Sequence, residues 1–227
     1  MRTEPRHPGP RGMALRLAPY LEQLGRWPLA GRHILAQYDD ESVVVYQAYR
    51  REIGEFAARH GRFGPGWSRE RMSWIKPNFL WMMYRCGWAA KEGQEVVLAL
   101  TLRRAGFDEL LAAAVPSSHD PALFPDRAAW QAAVARSDVR LQWDPDHAPG
   151  GAKEQRRAIQ LGLRGEALRR FADHWLLAVE DVTPLVRAQH PHANPPFSEL
   201  LLPEEHVYPV TDPATARGLG LALEHGR

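Results

Sequence analysis

The sequence predicts an α+β fold, a single domain with a mixed or mostly antiparallel sheet and flanking helices. Three observations carry this expectation. β-Branched and aromatic runs recur at residues 43–49, 96–100 and 139–143. Short stretches of helical periodicity lie between them. No Gly-x-Gly-x-x-Gly follows a strand and no phosphate-loop pattern ends in Gly-Lys-Ser/Thr, which counts against a dinucleotide fold and an NTPase of that kind. A chain of 227 residues, 44% hydrophobic, is long enough for one sizeable core.

Residues 1–30 read as a disordered or loosely packed leader. The first twelve are rich in Pro, Gly and Arg. Leu15, Leu17, Leu21 and Leu24 suit a short amphipathic helix. The main domain is expected over 31–190. Residues 34–38 suit a short strand before the turn signal Asp39-Asp40, and 43–49 form the clearest strand. Residues 52–60 suit a helix with Ile53, Phe56 and Ala57 inward and Gly61 as its stop. A loop follows up to Lys76. Pro77 disfavours helical backbone at Lys76, so a helix is expected to begin with Pro77 or Asn78 in its first turn and to end near Gly87.

Beyond it, 91–94 read as a turn, 95–102 as a buried strand, 107–115 as a helix and 117–125 as a loop. Asp126 is the expected cap of a helix to Ala135. Residues 139–143 alternate like a half-buried strand, with a loop over 144–151. Strands at 158–163 and 175–179 enclose a helix at 165–173. Residues 191–227 turn polar and Pro-rich and read as an extended arm and tail, with 200–210 lying along the domain.

Trp67, Trp74, Trp81 and Trp88 recur every seven residues and make up half the tryptophans of the chain. On a helix Trp81 and Trp88 would share a face. The predicted helix carries Phe79, Met82, Met83 and Cys86 as one apolar stripe, with Leu80, Trp81 and Tyr84 beside it, so it should be largely buried. Lys76 and Arg85 are charges on an element that belongs inside, and each needs a partner, a ligand or the surface. Either their stems snorkel outward or they line an aromatic-walled pocket for an anion such as phosphate.

The formal net charge of +2 does not by itself argue for nucleic acid. Its distribution is uneven. Arg50, Arg51, Arg59, Arg62, Arg69, Arg71, Lys76 and Arg85 are opposed in their span only by Glu52, Glu55 and Glu70. The chain has only three lysines, Lys76, Lys91 and Lys153. A single cysteine excludes an internal disulfide framework and suits a cytoplasmic setting. No membrane span is expected, and the scattered histidines lack ligand spacing, so no metal is expected. No Ser lies in a nucleophile elbow, and Cys86 has no basic partner in its apolar run.

Gln37-Tyr38-Asp39, Val45-Tyr46-Gln47-Ala48-Tyr49, the run from Arg71 through Trp74-Ile75-Lys76-Pro77-Asn78-Phe79-Leu80-Trp81-Met82-Met83-Tyr84 to Arg85, Gln142-Trp143-Asp144-Pro145 and Val179-Glu180-Asp181 resemble an uncharacterised family, domain of unknown function 4291. The resemblance covers about residues 31–222 and implies a single domain without a settled activity. The family pattern usually has an arginine directly before Ala-Gln-Tyr, where this chain has Leu35. Any role of that arginine would pass to Arg32 or His33, or be lost.

The order of elements also resembles the layout of ADP-ribosyltransferases, an analogy of architecture. It implies an enzyme that uses NAD as substrate, with Glu180 and Tyr46 as catalytic candidates, because the cation-like transition state at a ribose carbon needs a carboxylate. Tyr38, Gln47, Tyr49, Lys76, Trp81, Arg85, Gln142 and Asp144 are the ligand-binding candidates. The expected function is that of a nucleotide-directed transferase binding a phosphate-containing ligand, with nucleotide or nucleic acid as partner. The alternative is a non-catalytic RNA- or nucleotide-binding module, for which aromatic stacking and arginine–phosphate contacts suffice.

Overall fold

Two sheets joined at one seam organise the chain in this computed structural model, which describes residues 13–221. The elements run β1 (Leu17–Pro19), α1 (Tyr20–Leu24), β2 (Gly31–Arg32), β3 (Leu35–Ala36), β4 (Ser42–Tyr49), α2 (Arg51–His60), β5 (Ser73–Ile75) and α3 (Phe79–Cys86). There follow β6 (Val96–Arg103), α4 (Arg104–Ala113), β7 (Ala114–Pro116), α5 (Arg127–Arg136), β8 (Val139–His147), β9 (Lys153–Leu163), α6 (Gly165–Arg170) and a π-helical turn (Phe171–Trp175). The described chain closes with β10 (Leu176–Asp181), α7 (Thr183–Gln189), β11 (Leu201–Pro203), β12 (His206–Val207) and α8 (Pro213–Leu219). The fold is α+β, as expected, and its sheets are antiparallel and mixed.

The first sheet is antiparallel, in the order β10-β6-β4. The second has the order β2-β9-β8-β7, with β5 also on β9. Its β8–β9 and β5–β9 pairs are antiparallel and its two edge pairs parallel. A single bridge joins the two sheets: Tyr46 N donates to Lys76 O at 2.7 Å and Lys76 N to Tyr46 O at 3.2 Å.

Strand alternation explains why 43–49 and 96–102 read as unbroken apolar runs. Val43 and Val45 enter the core between the sheets with Leu98, Leu100, Ile75, Leu161 and Phe107. Val44 and Tyr46 face a second core on the opposite side, with Val97, Ala99, Phe79, Met82, Met83 and Cys86. The first sheet is thus covered on both faces.

Helix α3 follows the sequence expectation closely. Asn78 Oδ1 accepts from Trp81 N at 2.6 Å, which caps the first turn. Gly87 takes the left-handed conformation that ends the helix, at φ +57°. Phe79 to Met83 and Cys86 are all buried. The seven-residue tryptophan spacing has no helical meaning, however. Trp67 is in a loop, Trp74 in β5, Trp81 in α3, and Trp88 lies past the helix end.

Several expectations are corrected. The first twelve residues of the expected leader lie outside the described residues. The remainder is woven into the domain: β1 pairs with β11, Tyr20 and Trp27 are buried, and Trp27 Nε1 donates to Glu205 O at 2.9 Å. In the expected extended arm, residues 201–203 and 206–207 lie along the domain as short strands paired with β1 and β3. Helix α8 sits with α4 and β7. The expected loop before Lys76 contains β5, the expected loop after Trp143 is the end of β8, and α7 and α8 had no expectation. Among the described residues no helix is long and apolar enough to cross a membrane.

Candidate functional site

Past the Tyr46–Lys76 bridge β4 and β5 no longer pair, and a cleft opens at the seam. A polar network holds its inner wall. Gln47 Nε2 donates to Ser73 Oγ at 2.7 Å and to Trp74 O at 3.0 Å, so one amide replaces the missing backbone ladder. Tyr49 Oη donates to Gln47 Oε1 at 3.0 Å and accepts from Trp67 Nε1 at 2.9 Å. Trp67 stacks on Phe63 at 4.4 Å, which fixes the loop above. Burial raises the pKa of the Tyr49 phenol, against the lowering effect of its hydrogen bonds with Ser73, 3.2 Å away, and Trp67.

The cleft has two chambers. The larger, about 540 Å³, is lined by Gln47, Tyr49, Trp67, Trp74 and Met82 together with Arg50, Arg71, Lys76 and Arg85. Among the described residues four cations line it and no carboxylate does. The smaller, about 440 Å³, is lined by Trp74, Lys76, Trp81, Tyr84, Arg85, Gln142, Asp144 and Gln160. Trp74, Lys76 and Arg85 belong to both and mark the junction.

The floor of the smaller chamber follows from strand register. Gln142 and Gln160 are direct partners across β8 and β9, and Asp144 is two residues further along β8, so all three share a face. Asp144 Oδ1 accepts from Gln142 Nε2 at 3.0 Å and Oδ2 from Gln160 Nε2 at 2.8 Å. The amides clamp the carboxylate and leave its remaining lone pairs free. Trp81 and Tyr84 line the chamber as well, and both stack with His147, which lines neither chamber. The His147 ring lies 3.5 Å from Tyr84 and 5.3 Å from Trp81, nearly parallel to both. Burial is the main cause that lowers the His147 pKa. Trp81 Nε1 and both His147 ring nitrogens are buried without a partner.

Lys76 is 6% exposed. Burial, aided by neighbouring Arg85 and opposed by Asp144, lowers its pKa to about 8. Arg85, in the last turn of α3, is exposed at the mouth. The structure therefore brings Gln47, Tyr49, Lys76, Trp81, Arg85, Gln142 and Asp144 to one cleft.

Three candidates lie elsewhere. Tyr46 is fully buried edge-on to Phe79, lines neither chamber, and has its phenol pKa raised by burial. It serves the site through its backbone bridge to Lys76. Glu180 is exposed near the end of β10, opposite Ala99, and also lines neither chamber. Tyr38 donates to Val207 O at 3.1 Å and packs under Arg104, on another part of the sheet. Leu35 is buried, Arg32 bonds Gly220 O and pairs with Asp120 at 3.6 Å, and His33 reaches Ala30 O; none of them lines the cleft. Gln160, Arg50, Arg71 and Tyr84 line the site without having been singled out as ligand residues. For Gln160 the available signal was a polar residue between Ile159 and Leu161.

Fold and site together define an α+β domain with a cationic, aromatic-walled cleft where two sheets meet. The chain belongs to the family described as domain of unknown function (DUF4291), whose model matches residues 33–208. No curated protein matches it.

Proposed function

We propose that the chain is a nucleotide-directed enzyme of ADP-ribosyltransferase type that holds a phosphate-bearing ligand in the seam cleft. The observation that carries the reading is the junction, where Lys76 and Arg85 line both chambers beside Trp74. A phosphate or pyrophosphate there meets two cations, and a ring on either side meets aromatic walls. The carboxylate such a transfer needs at the ribose is Asp144, the one acidic residue among the described residues that lines either chamber, in place of Glu180.

The charge pattern also supports an orientation. The larger chamber carries only cations and takes the phosphate-rich end, whereas the smaller one, with Asp144 and the Trp81–Tyr84 wall, suits a neutral or cationic ring. Calorimetric titration with NAD and with mononucleotides tests binding, and Arg85→Ala should weaken it by about tenfold or more, the loss of one charge-assisted contact. Absence of nucleotide binding refutes the proposal.

The second reading, a non-catalytic nucleotide-binding module, is favoured by the lack of any carboxylate in the larger chamber. Asp144→Asn separates the two, because it abolishes NAD turnover under the first and leaves affinity within about threefold under both.

A further inference from the structure

Lys76 is held in a way that a phosphate-binding cation does not require. Its backbone is fixed on both sides by the Tyr46 bridge, so the stem leaves from a rigid point. The residue is 6% exposed, yet it lines both chambers. Among the described residues its ammonium has neither an ion pair nor a side-chain hydrogen bond, while Arg85 and Asp144 line the same small chamber. Burial lowers its pKa to about 8. Roughly a tenth of the molecules then carry a free amine at pH 7, against about one in a few thousand for an ordinary lysine.

We propose that Lys76 Nζ is a nucleophilic amine that condenses with the carbonyl of a phosphate-bearing aldehyde, including the open-chain form of a ribose phosphate, to give a reversible imine. The amine lone pair adds to the carbonyl carbon, and the carbonyl oxygen takes up a proton. The nitrogen gives up both its protons, one balancing that taken up by the oxygen and the second passing to the new hydroxyl, which leaves as water, and a carbon–nitrogen double bond remains. One water is released for each imine, and nothing is oxidised or reduced. Arg85 with Arg50 and Arg71 holds the phosphate, Trp74 supplies a wall, and Asp144 is the carboxylate available to pass the proton. The inference rests on the cleft being a phosphate-ligand site, although not on the ligand being NAD.

The chain offers a clean test because it has only three lysines, and Lys91 and Lys153 are exposed. The full chain is incubated with pyridoxal 5′-phosphate, the imine is trapped with borohydride, and labelled peptides are mapped by mass spectrometry. Labelling at Lys76 should exceed that at either other lysine by at least about tenfold, given the difference in free-amine fraction. Pyridoxal without its phosphate should react far more slowly, and Arg85→Ala should narrow that gap. Lys76→Arg should lose the adduct, while Lys91 and Lys153 keep their background labelling. Even labelling of the three lysines, or none at Lys76, overturns the proposal. Selective labelling that nucleotides fail to protect leaves the amine chemistry standing and overturns the nucleotide reading alone. Calorimetric nucleotide binding with Lys76 unlabelled does the reverse.

Discussion

Lys76→Met should make the protein more stable. In the folded chain the Lys76 pKa is about 8, against an ordinary 10.5. Keeping this ammonium charged inside the fold therefore costs about 3 kcal/mol, at about 1.4 kcal/mol per tenfold change in proton affinity. The sign follows from proton counting. Between pH 8 and 10.5 the unfolded chain binds more protons at this residue than the folded chain does, so the stability of the native protein rises with pH across that window. Below pH 8 the full cost applies.

Methionine has a similar stem and no charge, so it removes the cost without opening a large cavity. At pH 7 urea unfolding should show the variant up to about 3 kcal/mol more stable, with an unchanged denaturant slope. At pH 10 the gain should shrink below about 1 kcal/mol, because the wild-type lysine sheds its proton on folding. A variant less stable than wild type at pH 7, or an equal gain at both pH values, refutes the reasoning. It would mean that the ammonium is better solvated than its burial implies.

Other substitutions probe the frame around the cleft. Arg156 and Asp146 form a buried pair at 2.7 Å with side chains 4% and 1% exposed, so Arg156→Met should cost about 3–5 kcal/mol in chemical denaturation, and adding Asp146→Asn should restore part of it. Glu205 is buried at the start of α3, where it accepts from Phe79 N at 2.6 Å, and burial pushes its pKa well above the usual 4.5. Its contribution to stability is complete below pH 4.5 and is lost as pH rises through the raised pKa, so Glu205→Gln should compare better with wild type at pH 8 than at pH 5 in paired unfolding curves. A Cβ at Gly106 would collide with the Trp175 ring, so Gly106→Ala should lower stability by about 1–3 kcal/mol through overpacking. Asp126 Oδ1 caps α5 at Ala129 N, 2.7 Å away, and Asp126→Ala should cost about 1 kcal/mol, seen as a fall in melting temperature.

What could be read in the sequence was local. Helix α3 carried its start in Asn78, its stop in Gly87 and its burial in an apolar surface, and each of these signals acts within a few residues. The two long strands of the first sheet were equally plain, because each is buried on both faces. Strand β5 was hidden because three residues before Lys-Pro have no pattern of their own. They become a strand only by pairing with 161–163 on β9. The same holds for β1, whose partner is β11 near the other end of the described chain.

The site divided along the same line. Lys76 and Arg85 stood out because charge conflicts with an apolar helix. Asp144, named as a ligand residue, reaches the cleft and Glu180, named as catalytic, does not; the sequence could not rank them because both acids sit near expected strand ends. Only the register of β8 against β9 turns Asp144 and Gln160 to the same face as the chamber. Tyr46 looked reactive by its chemistry, whereas strand alternation points its ring into the second core.

The carboxylate that receives the first amide of α3 stands 126 residues downstream of it. During synthesis the aromatic helix of the cleft must therefore wait, capped by Asn78 but with the Phe79 amide lacking its carboxylate, until Glu205 has left the ribosome. A nascent chain halted before Glu205 would expose that greasy helix to chaperones and proteases, so the cleft is completed among the last parts of the molecule, and truncation from the far end should cripple it before it touches any residue that lines it.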